Sequence, residues 1–534
     1  MSLSSRSHRP LIMGSKGAVG ANHPAAALTG LDILRAGGNA FDATVAIALS
    51  LGVVEPMMAG LGGDGIYQTF LASSSKSLVF NGTGAAPSAA TPDRFRATGL
   101  PIRGPLSVSV PGALAALSAI HGSHGRLPWA QLVAPAIELA REGFPVTHLY
   151  CYFANRARDV LESDERSART FLAAGSPAAL VRQPDLARTL EEIATDGADT
   201  FYRGNLAKRL VASMRPAGIL VDADDLALCV PELTKPIRVT YRGFVVNQTP
   251  PNSSGFMLLQ MLKIIECFDL TRLGPEQRVH IMVEAKKLAF QDCERYCTDP
   301  SFGEIPLDRL LSDDYAAECA AKINLTRAAD LRLAEPEFVD GNTTYFCVVD
   351  AEGNAVSAIQ SLNSSFGSGM IAGDTGILLN NRMPYWHLAG DHPNRLLPRK
   401  RVRHTMNAPM VFKEDQLWAV EGTPGGDNQV QVNLQMLSAM IDFDMDPQAA
   451  AELPRWSSCQ RGQGVDWPHE GDDSLTIEPG FGSGVLIELG RLGHRLNRIA
   501  ALEGPCNVQA IRIMENGVRV VGSDPRGDGW AAAY

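Results

Sequence analysis

The chain has 534 residues, 45% of them apolar, and a net charge of −10. That balance, with no long run of Lys or Arg, argues against nucleic acid or an anionic membrane as a partner. No apolar stretch of about 18 residues is present to span a bilayer, and the opening ten residues carry charge with no apolar leader region behind them.

The nine cysteines are scattered, with no CxxC pair and no HExxH motif. Neither a metal nor a cofactor is expected, and a reducing cytoplasm is the expected location. Length favours about three domains, although a single layered fold of this size is also possible.

In chain order, residues 24–37 read as a helix with Pro24 in its first turn and Gly37-Gly38 ending it. Residues 41–52 read as a second, wholly buried helix. The glycine-dense run Gly60–Gly65 has neither GxGxxG spacing nor a phosphate-loop Lys, and Asp64 would repel phosphate. Close backbone packing is its expected role.

The segment from about 130 to 335 is mostly helical in pattern, as in His280–Cys297, where Cys293 and Cys297 are expected to pack. After 340 the pattern turns to strands. Tyr345–Asp350 and Ala355–Leu362 flank the turn Ala351–Asn354, a hairpin signal. Further pairs are Met410–Phe412 with Leu417–Glu421, and Val508–Met514 with Val518–Val521. Between them Asp427–Ile441 reads as a helix with Asp427 as N-cap. The basic stretch Arg399–Arg403 is either a solvated loop or an anion site. Helices followed by a mainly β segment fit a layered α/β/β/α core.

The chemistry gathers around Gly341-Asn342-Thr343-Thr344. Two threonines at a strand start are ordinary by themselves. Three downstream features give Thr343 more weight. Ser361-Leu362-Asn363, at the far end of the same hairpin, returns beside it. Gly422–Asp427 joins a strand to a helix N-terminus, where free N–H groups can hold an oxyanion. An apolar strand then ends in the polar run Asn380-Asn381-Arg382.

These residues resemble the γ-glutamyltranspeptidase family of N-terminal-nucleophile hydrolases. The resemblance runs through LDILRAGGNAFDATVAIALSLGVVEP at 31–56, Gly60–Gly65, the run at 124–146, TTYFCVVDAEGNAVSAIQSLNSSFGSG at 343–369, GILLNNRM at 376–383, GTPGGD at 422–427 and SDPR at 523–526. It implies a four-layer αββα sandwich of the α+β class. It also implies self-cleavage between Asn342 and Thr343. Fragments 1–342 and 343–534 would then form one intertwined heterodimer, either alone or dimerised further.

By the same resemblance Thr343 is the nucleophile, Ser361 contacts its hydroxyl, Asn363 lies near the substrate, and Gly425 and Gly426 form the oxyanion site. The family usually has Thr where Ser361 stands. The freed α-amine, with a reference pKa near about 8, would serve as base.

The glutamyl pocket departs from the family pattern. No Arg stands in Asn81–Pro87, His404-Thr405 replaces a Ser-Ser pair, and Arg382 and Tyr385 replace acceptors for the substrate's ammonium. A guanidinium repels an amine and can grip a carboxylate in two-pronged fashion. A small amide bearing a carboxylate is therefore expected, with Arg382, Tyr385, His404 and Thr405 as its pocket. The best match is the oxamate amidohydrolase branch, which forms oxalate and ammonia in purine-nitrogen salvage. The alternatives are a γ-glutamyl hydrolase or transpeptidase, a cephalosporin or glutaryl acylase, and an inactive metabolite-binding relative.

Overall fold

The computed structural model describes residues 7–333, 341–463 and 473–534. Residues 1–6, part of the opening read above for a leader, and residues 334–335 of the helical segment lie outside them.

The strand Asn342–Val349 shows why the chain layers as it does. Its side chains alternate between two apolar environments, as the two-residue period of a strand demands. Phe346 and Val348 pack into a core shared with helices, whereas Tyr345, Cys347 and Val349 pack into a second core between sheets. The same alternation puts Val411 and Ala419 against helices, and Met410, Phe412 and Val420 between the sheets. Each such fully buried large side chain contributes about 1.5–3 kcal/mol.

Two seven-stranded sheets result. One runs 530–533, 18–21, 342–349, 355–363, 64–71, 76–82, 232–234. The other runs 12–14, 519–523, 509–513, 416–422, 410–413, 244–248, 237–241. Helices Pro24–Arg35, Ala40–Val54 and Ala113–His124 cover the first sheet, and Phe256–Glu266, Pro275–Tyr296 and Asn428–Ile441 cover the second. This is the expected four-layer αββα sandwich. No helix among the described residues is long and apolar enough to cross a membrane.

The second helix starts where Asn39 and Asp42 form a reciprocal cap, which satisfies two N–H groups left open at a helix start. The hairpins at 342–363, 410–422 and 509–523 form as expected.

The division into helices and then strands needs correction. Among the described residues, seven of the fourteen sandwich strands precede residue 342, including Ile237–Tyr241 and Phe244–Gln248 within the segment read as helical. Their tight turn uses Arg242 and Gly243, both at positive φ. Leu378–Leu379 forms only isolated bridges, to Ile371 and Gly62, rather than a strand. Because both sheets draw strands from both sides of the Asn342–Thr343 bond, neither side forms a sheet core alone.

Candidate active site

Thr343 sits at the start of its strand, where the pairing slips by one residue against the returning strand. Asn342 pairs with Asn363 but Thr344 pairs with Gln360. Such a bulge bends the strand and re-aims side chains. The two adjacent threonines point to opposite layers. Thr344 Oγ1 donates to Glu55 at the end of helix Ala40–Val54, at 2.6 Å. Thr343 Oγ1 instead accepts from the second sheet's side: from the Gly425 N–H at 3.3 Å and the Gln429 amide at 3.4 Å.

The Gly425 contact depends on a turn that only glycine tolerates. Gly425 and Gly426 have φ of 116° and 55°, and a Cβ on Gly425 would lie 2.5 Å from Cys506 Sγ. Helix Asn428–Ile441 starts at once, adding its positive end to the site. Asp427 occupies the N-cap position as expected, but its side chain makes no capping bond. Its carboxylate is taken by Arg403, at 3.3 Å. The neighbouring Arg401 pairs with Glu232, so two cations of the basic stretch, Arg401 and Arg403, are neutralised within the fold.

The hairpin brings Ser361 and Asn363 back beside the same bond. Ser361 Oγ donates to the Asn342 carbonyl at 2.7 Å and accepts from the Asn363 N–H at 2.8 Å. The resemblance led us to expect Ser361 on the Thr343 hydroxyl; in the uncut chain it holds the carbonyl next door. Asn363 adopts φ of 84°, and its amide donates to the Asn381 carbonyl at 2.8 Å. The Asn342 side chain donates to Ser365 Oγ. Gly341 lies against Gly426 and the Tyr385 hydroxyl, so closely that a Cβ there would come within 2.9 and 3.1 Å of them.

Behind Ser361 lies a buried charge cluster. Arg382 Nε meets Asp64 at 3.2 Å, Nη1 donates to Asn363 Oδ1 at 3.1 Å, and Nη2 donates to Ser361 Oγ at 3.1 Å. The Tyr385 ring lies 5.1 Å from the guanidinium carbon. His404 Nε2 is 3.3 Å from the same Asp64 carboxylate, which also accepts from the Gly84 N–H at 2.7 Å.

Burial opposes the Asp64 charge, but His404, Arg382 and Gly84 together outweigh it and hold its pKa below the usual range. Burial, aided by Arg382, pushes His404 down to about 4, so it is a neutral imidazole at pH 7. Thr405 is buried next in sequence, its carbonyl accepting from Asn407.

A cavity of about 240 Å³ opens onto Asn342, Thr343 and Gly425. Met58, Leu149, Tyr152 and Phe153 give it an apolar wall, and Arg103 and Arg156 contribute cations. Arg156 is exposed, and its guanidinium carbon lies 5.6 Å from the Tyr152 ring. Arg103 donates to the carbonyls of Ser365 and Gly367. Arg382, Tyr385, His404 and Thr405 are not among the residues lining this cavity.

A Gamma-glutamyltranspeptidase family profile matches residues 26–534. The chain belongs to the γ-glutamyltranspeptidase family. It is 38% identical over 529 residues to the glutathione hydrolase-like YwrD proenzyme of Bacillus subtilis, covering 97% of this chain and 99% of that one. It is 33% identical over 526 residues to the oxamate amidohydrolase proenzyme of Klebsiella pneumoniae, covering 96% and 98%. The solved cephalosporin acylase from Bacillus halodurans superposes with a TM-score of 0.91 at 34% identity, covering 100% of this chain and 98% of that one. Members of this family are N-terminal-nucleophile hydrolases that cut amide bonds, and the chain is such a hydrolase.

For a γ-glutamyltranspeptidase family member, the buried position of Arg382 is the main departure from the sequence reading. It is neither a solvated loop residue nor a cavity-lining clamp. Sequence reasoning also missed Asp64 as its partner and the wall formed by Tyr152, Phe153 and Arg156. The one available signal for Asp64 was a lone acid in a glycine run. The wall residues carry no motif.

Among the described residues, two groups bring His and carboxylate atoms close enough to hold a metal: His280, Glu284 and His494, and Glu294, His387 and His392. Internal bonds already use atoms of five of these six side chains, all but His387. His280 bonds His494 at 2.8 Å, Glu284 bonds Lys287 at 2.7 Å, and His392 bonds Glu294 at 3.1 Å.

Proposed function

We propose that the chain cuts itself between Asn342 and Thr343 and then works as a threonine amidohydrolase on amides whose acyl part carries a carboxylate. The observation that carries the first step is the pair of contacts at the bond. Ser361 donates to the Asn342 carbonyl at 2.7 Å, and two donors, from the Gly425 turn and from Gln429 in the helix after it, hold the Thr343 hydroxyl beside it. The Thr343 oxygen attacks the Asn342 carbonyl carbon and the C–N bond breaks. The Thr343 nitrogen takes up the proton, leaving an ester. That step frees the Thr343 α-amine; water then cleaves the ester, giving Asn342 a carboxylate and returning the Thr343 hydroxyl.

In the mature enzyme that amine, with a reference pKa near about 8, accepts the hydroxyl proton and passes it to the leaving amine or ammonia. The Gly425 and Gly426 turn supplies the oxyanion site. Water then attacks the acyl-enzyme and releases the acid. The two fragments remain together as a heterodimer because they share both sheets.

Arg103 and Arg156 support an anionic acyl group. An ammonium-bearing γ-glutamyl group is disfavoured, because the nearby acid, Asp64, is already engaged by Arg382. Oxamate is the smallest substrate of this class. A longer monoamide of a dicarboxylic acid, such as a glutaryl amide, is favoured by the cavity's size and its wall of Leu149, Tyr152 and Phe153. The nine scattered cysteines, with no CxxC pair, fit a reducing cytoplasm.

On a denaturing gel, wild type should give two bands and Thr343→Ala one. Ammonia release should be high for oxamate or glutaramate and low for glutamine and neutral amides. Arg156→Ala should raise KM about tenfold for the preferred acid, the loss expected for one charged contact, with kcat little changed. A splitting Thr343→Ala variant, or faster turnover of neutral amides, overturns the proposal.

A further inference from the structure

Ser361 stands at the scissile carbonyl, but a serine hydroxyl can turn. It has one proton to give and two lone pairs to receive. Here both lone-pair sites are filled. The Asn363 N–H takes one at 2.8 Å, and Arg382 Nη2 takes the other at 3.1 Å. The single proton therefore falls on the third contact, the Asn342 carbonyl at 2.7 Å.

We propose that Arg382 is a positioning residue for self-cleavage: its guanidinium occupies an acceptor site of Ser361 and so fixes that hydroxyl's proton on the carbonyl that Thr343 attacks. This rests on the self-cleavage reading above and deepens it.

The surroundings of Arg382 suit that role better than substrate binding. All three guanidinium nitrogens already face protein acceptors: Asp64, Asn363 and Ser361. The side chain is 1% exposed and absent from the lining of the Thr343 cavity. Asp64 is itself anchored by Gly84 and His404, so the fork cannot swing without breaking contacts to several chain segments.

The cation also acts on the reaction. As negative charge builds on the Asn342 oxygen, the Ser361 O–H bond to it strengthens. A positive charge on the far side of Ser361 polarises that O–H further. Arg382 thereby supports the oxyanion through Ser361 without touching the reacting atoms.

The test is a mutant cycle on the rate at which freshly translated full-length chain splits, followed on gels over time. One arm is Ser361→Ala. The other is Asp64→Asn with Arg382→Met, which removes the fork without leaving a buried unpaired carboxylate. Ser361→Ala should slow splitting about 10²–10³-fold, as for one oxyanion donor. The paired change should slow it about tenfold or more, as for one charge-assisted hydrogen bond. Combined, they should be no slower than Ser361→Ala alone, because Arg382 acts through that hydroxyl.

Losses that multiply, or a paired variant that splits at the wild-type rate, overturn the proposal. If the paired variant's precursor lacks a cooperative melt, Arg382→Lys, which keeps a cation on Asp64 but loses the fork, takes its place in the same cycle. A wild-type chain that never splits would remove the self-cleavage reading itself, whereas multiplying losses would remove only the role of Arg382.

Discussion

The two sides of Ser361 have been put to different uses. On the Thr343 side, small residues and backbone donors leave room: Gly341, Gly425 and Gly426 crowd no side chain into the site, and a cavity opens beyond. On the Arg382 side, space is filled by long charged and aromatic groups that satisfy one another: Arg382, Asp64, His404 and Tyr385. Ser361 alone joins the two, bonding the Asn342 carbonyl on one side and Arg382 on the other.

The largest expected effect lies on the open side. Gly425→Ala puts a Cβ at positive φ against Cys506 and displaces the N–H that meets Thr343. It should lower kcat about 10²–10³-fold, as loss of one oxyanion donor does. Near-normal turnover would show that the turn is only structural.

The filled side should answer in stability as well as in splitting rate. Arg382→Ala leaves Asp64 buried without its ion-pair partner and should cost about 3–5 kcal/mol in denaturant unfolding of the precursor. A loss under about 1 kcal/mol, the size of an exposed pair, would mean that solvent reaches the cluster.

A smaller, pH-dependent effect separates Thr343 from Thr344. Burial, against the opposing bond from Thr344 and with a small push from Asp528, raises Glu55 to about 8. The folded state therefore keeps a proton that the unfolded chain, with a reference pKa near about 4.3, gives up. Wild type should lose stability as pH rises from that value to about 8, then level off. Glu55→Gln should show a flatter curve, so its melting temperature gains on wild type with rising pH. A gap independent of pH would mean that Glu55 is already ionised in the fold.

How much of this was legible in the sequence follows from contact range. The Thr343 hairpin closes through the four-residue turn Ala351–Asn354, so Ser361 and Asn363 could be placed from local pattern. The turn at Gly425 announced itself by adjacent glycines before a helix. Arg382 and Asp64 are 318 residues apart, and nothing local reports their meeting. A free guanidinium was therefore read as a ligand for an outside anion when an inside one already held it. The strand Ile237–Tyr241 is the far edge of its sheet, and Phe244–Gln248 lies next to it. At five residues each they leave a weak pattern, and the flanking helices masked them. Tyr152, Phe153 and Arg156 sit on an otherwise ordinary helix, His148–Arg156, and only the tertiary fold turns them toward Thr343.

The most direct measurement is the intact mass and N-terminal sequence of the purified protein's fragments. The account predicts a small fragment that begins at Thr343, together with a large one ending at Asn342, and a single full-length mass for Thr343→Ala. A fragment beginning at any other residue, or a wild-type chain that turns over amides while still whole, would contradict it.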